Sequence, residues 1–355
     1  MHFPVNLLKP MGHFIRKGLD WLILCWTGLS LSACLTATPT LPPGPLPTET
    51  PPPQPTPTLT PVPLGETDNP LVIGYIQTEN AEQLPATEWI VQYLAGETGW
   101  SVRAQSFSTY QQLLAEMEHP HVHLAWMPPL TYLYASQRGI AEIGLLTNHF
   151  GVYRYGVQFL VNTNSGFSLF FDPLSGQNSA DAATALAQFE GKRPCFVEPT
   201  SAAGYLVPAG LLARNGIRTA EPVFTQTHSG IVRTLYVQGV CDFGATFAIS
   251  GDPRTSSAVL QDLPDALERI PVVWRSDPLI PNLALVYAAG MSEEMQQTLE
   301  QALIDLVKSD EGRSNLSLFA DYEIEDLRVV DDSLYDPLRE TLAALGVRYA
   351  ELIGK

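Results

Sequence analysis

Phe189-Glu-Gly-Lys-Arg-Pro-Cys-Phe-Val-Glu-Pro-Thr-Ser-Ala-Ala-Gly-Tyr-Leu-Val-Pro-Ala-Gly-Leu-Leu-Ala-Arg-Asn-Gly216 is the stretch on which the reading of the fold turns. Gly191 ends a short helical pattern. Residues 193–197 read as a short buried strand, and Pro199 stops it. Thr200 or Ser201 can cap the next helix, which carries Leu206, Leu211 and Leu212 and ends at Asn215-Gly216. Strand, tight turn and helix N-terminus then meet at one point. Unpaired backbone N–H groups and the positive end of the helix dipole converge there, which suits an oxyanion. The same pattern also describes an ordinary strand-to-helix turn in an α/β protein.

Outward from this stretch, strand and helix alternate. Strands are expected at 71–76, 122–126, 143–146, 155–161, 223–226, 242–247, 270–274 and 283–287. Helices are expected at 87–96, 110–117, 130–138, 228–237, 295–306 and 336–345. Tyr110, Leu113, Leu114 and Met117 fall on one helical face. Met295, Leu299, Leu303 and Leu306 mark a long amphipathic helix. No internal repeat is present. The alternation predicts an α/β sheet with helices on both faces.

The order Gly-Lys-Arg, strand, Pro, small hydroxyl residues, Gly-Tyr, Pro resembles the phosphate/phosphonate/phosphite-binding proteins of ABC importers. The resemblance runs from about residue 71 to 345. His123-Leu-Ala-Trp-Met-Pro-Pro-Leu-Thr-Tyr132 is similar to the family's strand and turn before a Tyr-containing helix. His228, after Phe224-Thr-Gln-Thr, matches a histidine at a helix start, and Gly239-Val-Cys-Asp242 a strand entry. Residues 272–282, Val-Val-Trp-Arg-Ser-Asp-Pro-Leu-Ile-Pro-Asn, match the strand that returns to the first lobe. The resemblance implies a two-lobed periplasmic-binding-protein fold of type II, with the ligand cleft between lobes. Lobe 1 would be 70–150 plus 280–355 and lobe 2 would be 151–279, with the two crossovers as hinge.

It also implies a ligand set. In the family the turn reads Ser-Thr-Ser-Gly. Here Thr200 and Ser201 precede Ala202 and Ala203, so only Ser201 matches a hydroxyl and the backbone donors remain. Tyr110 resembles a tyrosine that donates to the anion, although it also begins an apolar stripe that suits core packing. Trp126 and Tyr132 would wall the cleft, with core packing as the competing reading. His228 would donate a charge-assisted bond, unless it only caps its helix. Asp242 is a structural residue more often than a ligand-facing one. Aminophosphonate binders of the family carry extra carboxylates where this chain has Ala248 and Leu283, which argues against an amino-bearing ligand.

The N-terminus sets the compartment. Arg16 and Lys17 precede an apolar run over 21–31, too short to span a bilayer. Leu31-Ser32-Ala33-Cys34 then looks like a lipobox, so 1–33 is expected to be a signal peptide and Cys34 the lipidated residue. Residues 34–69 are rich in Thr and Pro and are expected to be a disordered tether. At about 3.1 Å per residue it could hold a domain up to ~100 Å from the membrane.

Of the 355 residues, 37 are acidic and 20 are Lys or Arg, a formal charge of −17. No basic patch interleaves with aromatics, so nucleic acid is not an expected partner. Cys195 and Cys241, each in an expected strand, either pair as a disulfide in an exported protein or stay free. His119, His121 and His123 alternate beside Glu118 and present imidazoles on one face, a metal-ligand pattern that Pro120 interrupts. A polar loop entering a strand is the simpler reading, and no metal is expected. Gly-x-Ser-x-Gly, His-Glu-x-x-His and a phosphate loop are missing, so no enzyme and no cofactor is expected. The expected partners are a small oxyanion, an ABC permease and, through the lipid, the membrane, with the protein a monomer. The alternative is a ligand-sensing or structural lipoprotein that keeps the fold without transport.

Overall fold

The computed structural model describes Gly44 and residues 61–353. The expected signal peptide, the Cys34 expected to carry lipid and, Gly44 apart, the expected tether up to residue 60 lie outside the described residues. The last part of the expected tether is folded onto the domain. Gly65 N–H donates to the Asn69 carbonyl at 2.8 Å, and Ser101 N–H donates to the Gly65 carbonyl at 2.6 Å. Leu64 packs on the core, so ordered chain begins before residue 70.

β1 (Leu71–Ile76), β2 (Val102–Phe107), β3 (Leu124–Met127) and β4 (Ala141–Asn148) come first. Between them lie α1 (Gln83–Thr98), α2 (Tyr110–Glu118) and α3 (Pro129–Gln137). β5 (Arg154–Leu160) is followed by the hairpin β6 (Phe171–Asp172) and β7 (Gln177–Asn178), α4 (Ala182–Leu186) and β8 (Pro194–Phe196). Next are α5 (Val207–Arg214), β9 (Val223–Phe224), α6 (His228–Val237) and β10 (Phe243–Ala248). α7 (Ser257–Asp262) and α8 (Ala266–Arg269) lead to β11 (Val272–Arg275) and β12 (Ile280–Pro281). β13 (Ala284–Ala288), α9 (Glu293–Leu306), α10 (Asp310–Ala320), β14 (Asp326–Val329) and α11 (Asp336–Ala343) complete the order.

Two larger sheets result. The first runs β14-β4-β13-β3-β1-β2, the second β11-β5-β10-β8-β9. β1 pairs parallel with β2 and β3, whereas β13 lies antiparallel between β3 and β4. One face of the first sheet buries Leu71, Ile73, Leu124 and Leu285 against Ile90 and Leu94 of α1 and Leu299 and Leu303 of α9. In the second sheet Phe159 and Phe243 pack on Phe189, with ring centroids 3.9 Å apart for Phe189 and Phe243. Ser or Thr side chains cap several helices as their spacing dictates: Thr109 for α2, Thr227 for α6, Ser292 for α9 and Ser309 for α10.

The chain leaves the first sheet after β4 and returns to it through β12. Asn282 ties these two crossovers together. Its Nδ2 donates to the carbonyls of Thr147 (3.2 Å) and Val152 (2.7 Å), and its N–H donates to the Tyr153 carbonyl at 3.1 Å. Cys195 and Cys241 form a disulfide with Cα atoms 5.7 Å apart. Cys195 is in β8 as expected, but Cys241 lies in the loop before β10. β2, α10 and β14 go beyond the sequence expectation. The three histidines do not line one strand face, because β3 starts only at Leu124. His121 Nδ1 is 2.9 Å from the Glu116 carboxylate, and His123 Nδ1 accepts the Val72 N–H at 3.0 Å.

Candidate functional site

The stretch after β8 makes the expected turn, with one difference. The chain does not enter an α-helix directly. Residues Ala202–Leu206 form a π-turn that continues into α5. Ser201 is the cap, its Oγ accepting the Gly204 N–H at 3.0 Å. Gly204 is needed for the approach to β8: a Cβ there would fall 2.4 Å from Val197 Cγ2. The Val197 N–H donates to the Gly204 carbonyl at 3.0 Å, which locks strand to turn. Among the described residues, the N–H groups of Ala202 and Ala203 find no protein acceptor. They are the free donors of a helix start, at the positive end of its dipole.

A second helix start faces the same space. Thr227 caps α6, accepting the Gly230 N–H at 2.9 Å, and His228 is the first helical residue. The His228 ring meets Phe247 edge-on, with centroids 4.8 Å apart and planes at 77°. Its Nδ1 is buried without a partner. Burial lowers its pKa from 6.5 to about 4, so the ring is neutral at pH 7. Ser201, Ala202, Ala203 and His228 line a cavity of about 290 Å³ together with His149, Phe150, Tyr155 and Tyr322.

Tyr155 and Tyr322 also line a second cavity, of about 320 Å³, built mainly on the first sheet. Its other walls include Tyr75, Tyr110, Trp126 and Phe319, with Asn282 and Asp321. The two cavities are therefore neighbouring parts of one cleft. Burial pushes the Tyr155 phenol up to about 12, and raises Tyr110 and Tyr322 as well. These phenols are neutral donors at any physiological pH. Neither cavity has a Lys or Arg among its lining residues. An anion bound here would be held by neutral donors and helix dipoles, not by a salt bridge.

Six of the nine residues singled out as ligand-binding line this cleft: Tyr110 and Trp126 in one cavity, Ser201, Ala202, Ala203 and His228 in the other. Thr200 lines neither. Tyr132 is placed elsewhere: its OH donates to Asp332 Oδ1 at 2.6 Å and its ring packs on Tyr335 at 4.6 Å. Asp242 accepts the Arg193 N–H at 2.7 Å and so fixes the entries of β8 and β10. Sequence reasoning missed Tyr75, Tyr155, Asn282, Asp321 and Tyr322. The crossovers and the end of α10 supply the last four, and of these only Asn282 lies in a matched stretch, 272–282. Only the position of Tyr155 and Asn282 beside the expected crossovers could have flagged them.

A family model described as "ABC transporter, phosphonate, periplasmic substrate-binding protein" matches residues 73–335. The chain is 24% identical over 221 residues to the "Phosphate-import protein PhnD" of Mycolicibacterium smegmatis. That match covers 58% of this chain and 63% of the relative, so the chain spans less than two thirds of that protein's length. XAC2383 from Xanthomonas citri, bound to chloride ion, superposes with a TM-score of 0.58 at 19% identity, covering 79% of this chain and 98% of that one. The Mycoplasma hyorhinis protein Mh-p37, described as a putative thiamine pyrophosphate transporter, gives 0.51 at 7% identity, over 78% and 98%. The fold is that of the type II periplasmic binding proteins. The chain belongs to the periplasmic phosphonate substrate-binding protein family of ABC transporters.

Proposed function

We propose that the protein is the membrane-tethered, extracytoplasmic solute-binding component of an ABC importer and captures a small oxyanion of the phosphonate, phosphite or phosphate type. The observation that carries this reading is the pair of unpaired Ala202 and Ala203 N–H groups at a capped helix start, open to a cavity that His228 and two neutral tyrosines also line. Hydrogen-bond donors that are fixed before the ligand arrives lose little freedom on binding. The loss of two side-chain hydroxyls relative to the family's turn leaves these backbone donors intact. The name of the Mycolicibacterium relative, a phosphate-import protein, points the same way.

In this reading residues 70–150 plus 280–355 form one lobe and residues 151–279 the other. The ligand bridges them, and the crossovers tied by Asn282 are the hinge. A lipid on Cys34 holds the protein at the membrane, and the closed monomer docks on a permease. Among the described residues no helix is long and apolar enough to cross a membrane. A thermal-shift and calorimetric screen of phosphate, phosphite, methylphosphonate and sulfate tests the ligand class. A ligand at 100 times its Kd adds about 2.7 kcal/mol of stability. Absence of any shift across the whole series would sink the oxyanion reading.

A further inference from the structure

We propose that the ligand is a zwitterion: the oxyanion at the Ser201 end is joined by a short spacer to a methylated ammonium that sits in the cavity of the first sheet. This rests on the oxyanion reading above and adds the chemistry of the ligand's other end.

The two ends of the cleft differ in polarity. Two helix starts, at Ser201 and at His228, point their positive ends into one cavity. The other cavity lies at a helix finish. α10 ends there at Ala320, and Asp321 follows in the left-handed region with φ 49° and ψ 42°. The Asp321 N–H turns back to the Ser317 and Leu318 carbonyls, whereas the Ala320 carbonyl accepts no hydrogen bond among the described residues. That end carries the negative end of the helix dipole and a carboxylate. No Lys, Arg or His lines this cavity to offset them. The Asp321 charge is felt inside, since after burial it is the second cause raising the Tyr110 phenol. Asn282 adds an acceptor. It is 1% exposed, both its N–H bonds go to backbone carbonyls, and its Oδ1 has no partner among the described residues.

A bare oxyanion would occupy one end of this cleft and face at the other the carboxylate of Asp321, which is exposed to solvent and has no Lys or Arg beside it among the lining residues. A ligand with a cation at its far end converts that repulsion into attraction. The walls identify the kind of cation. Six aromatic side chains, Tyr75, Tyr110, Trp126, Tyr155, Phe319 and Tyr322, line the cavity. A primary ammonium is strongly hydrated and demands an acceptor for each of its three N–H donors, which aromatic faces do not supply. A methylated ammonium has no such demand. It is weakly hydrated and is held by aromatic faces through cation–π attraction. A cavity of about 320 Å³ is at the small end of organic-ligand sites and larger than an inorganic oxyanion fills. The apolar Ala248 and Leu283, which argue against an amino group, are consistent with this. The carboxylate comes from α10, an element the sequence reading did not contain.

Calorimetry on the purified full chain tests the proposal with four probes: phosphocholine, phosphoethanolamine, ethyl phosphate and inorganic phosphate. The expected order of affinity is phosphocholine, then phosphoethanolamine, then ethyl phosphate and phosphate. Asp321→Asn, which tolerates the left-handed backbone, should weaken phosphocholine about fivefold and leave ethyl phosphate unchanged. Ethyl phosphate or phosphate binding as tightly as phosphocholine overturns the cation assignment and leaves the oxyanion reading standing. Phosphoethanolamine outranking phosphocholine overturns the methylated cation. An unchanged phosphocholine affinity in Asp321→Asn overturns the role of the carboxylate. If none of the four probes binds while phosphite or methylphosphonate does, this inference fails and the oxyanion reading stands; if those two fail as well, both fall.

Discussion

Ser201 Oγ accepts the Gly204 N–H at 3.0 Å, so this hydroxyl is committed to the turn before any ligand arrives. Its own proton remains free to donate to an oxyanion. Ser201→Ala therefore removes a helix cap and a ligand bond together. Stability should fall by about 0.5–2 kcal/mol and binding by about 1.5–3 kcal/mol. Denaturant unfolding and calorimetry separate the two effects. An unchanged unfolding midpoint would contradict the cap.

Gly204→Ala should do more harm than its size suggests. The new Cβ would fall 2.4 Å from Val197 Cγ2 and 2.7 Å from Ser201 Oγ. β8 and the turn must separate, at a cost of about 1–3 kcal/mol. The separation moves the Ala202 and Ala203 N–H groups, so oxyanion binding should be lost even where the protein stays folded. Circular dichroism alongside calorimetry reads both.

The Cys195–Cys241 disulfide closes a loop across a sequence separation of 46. Loop-closure entropy for that length is about 4 kcal/mol. The loop contains both helix starts of the proposed anion site. Cys195→Ser with Cys241→Ser should lower unfolding free energy by up to about 4 kcal/mol, and a reductant should reproduce the loss in the parent protein. If the double variant matches the oxidised parent in denaturant, the bridge does not constrain the unfolded chain.

His228 gives a pH dependence of definite sign. Its folded pKa of about 4 lies below the ordinary 6.5. Between those values the unfolded chain binds a proton that the folded chain does not. Stability is therefore full above pH 6.5 and is lost as pH falls toward about 4. His228→Gln should flatten the curve in that window. An oxyanion beside the ring favours the charged form. Wild-type binding should then take up a proton in the same window, and His228→Gln binding should not, as calorimetry in buffers of different ionisation heat will read.

Cys34→Ser should release the protein from the membrane fraction or leave its signal uncleaved. Fractionation with a gel-mobility comparison reads both outcomes. A variant that is still processed and still sediments with membranes would rule out the lipid anchor.

The parts of the fold legible in sequence are those with strong local signals. β1 and α6 coincide with expectation residue for residue, because an apolar run and a Thr cap define them locally. β2 escaped because Val-Arg-Ala-Gln-Ser-Phe has no clear apolar alternation; its pairing with β1 decides its state. α10 escaped because its fully buried face is short, Gly312, Leu316 and Phe319, in a helix whose first half is polar. The site divides in the same way. The Ser201 turn is a local motif and could be read. Tyr322 and Asp321 reach the cleft only because α10 packs on α1, a contact between segments more than 200 residues apart. Tyr132 shows the opposite error: its motif was local, but its hydroxyl is engaged by Asp332 from the far end of the chain.

β13 lies between β3 and β4, with its residues 284–287 paired on both sides. The N-terminal strands therefore cannot close their sheet before β13 has been made. Until residue 288 has left the ribosome, β3 and β4 have no common neighbour, and β1 to β4 remain an open assembly. The segment 154–275 holds all five strands along its own sheet and can collapse earlier. A nascent polypeptide of this design stays threadable at its leading end until late in synthesis, the condition a protein must meet to pass through a secretion channel before it folds.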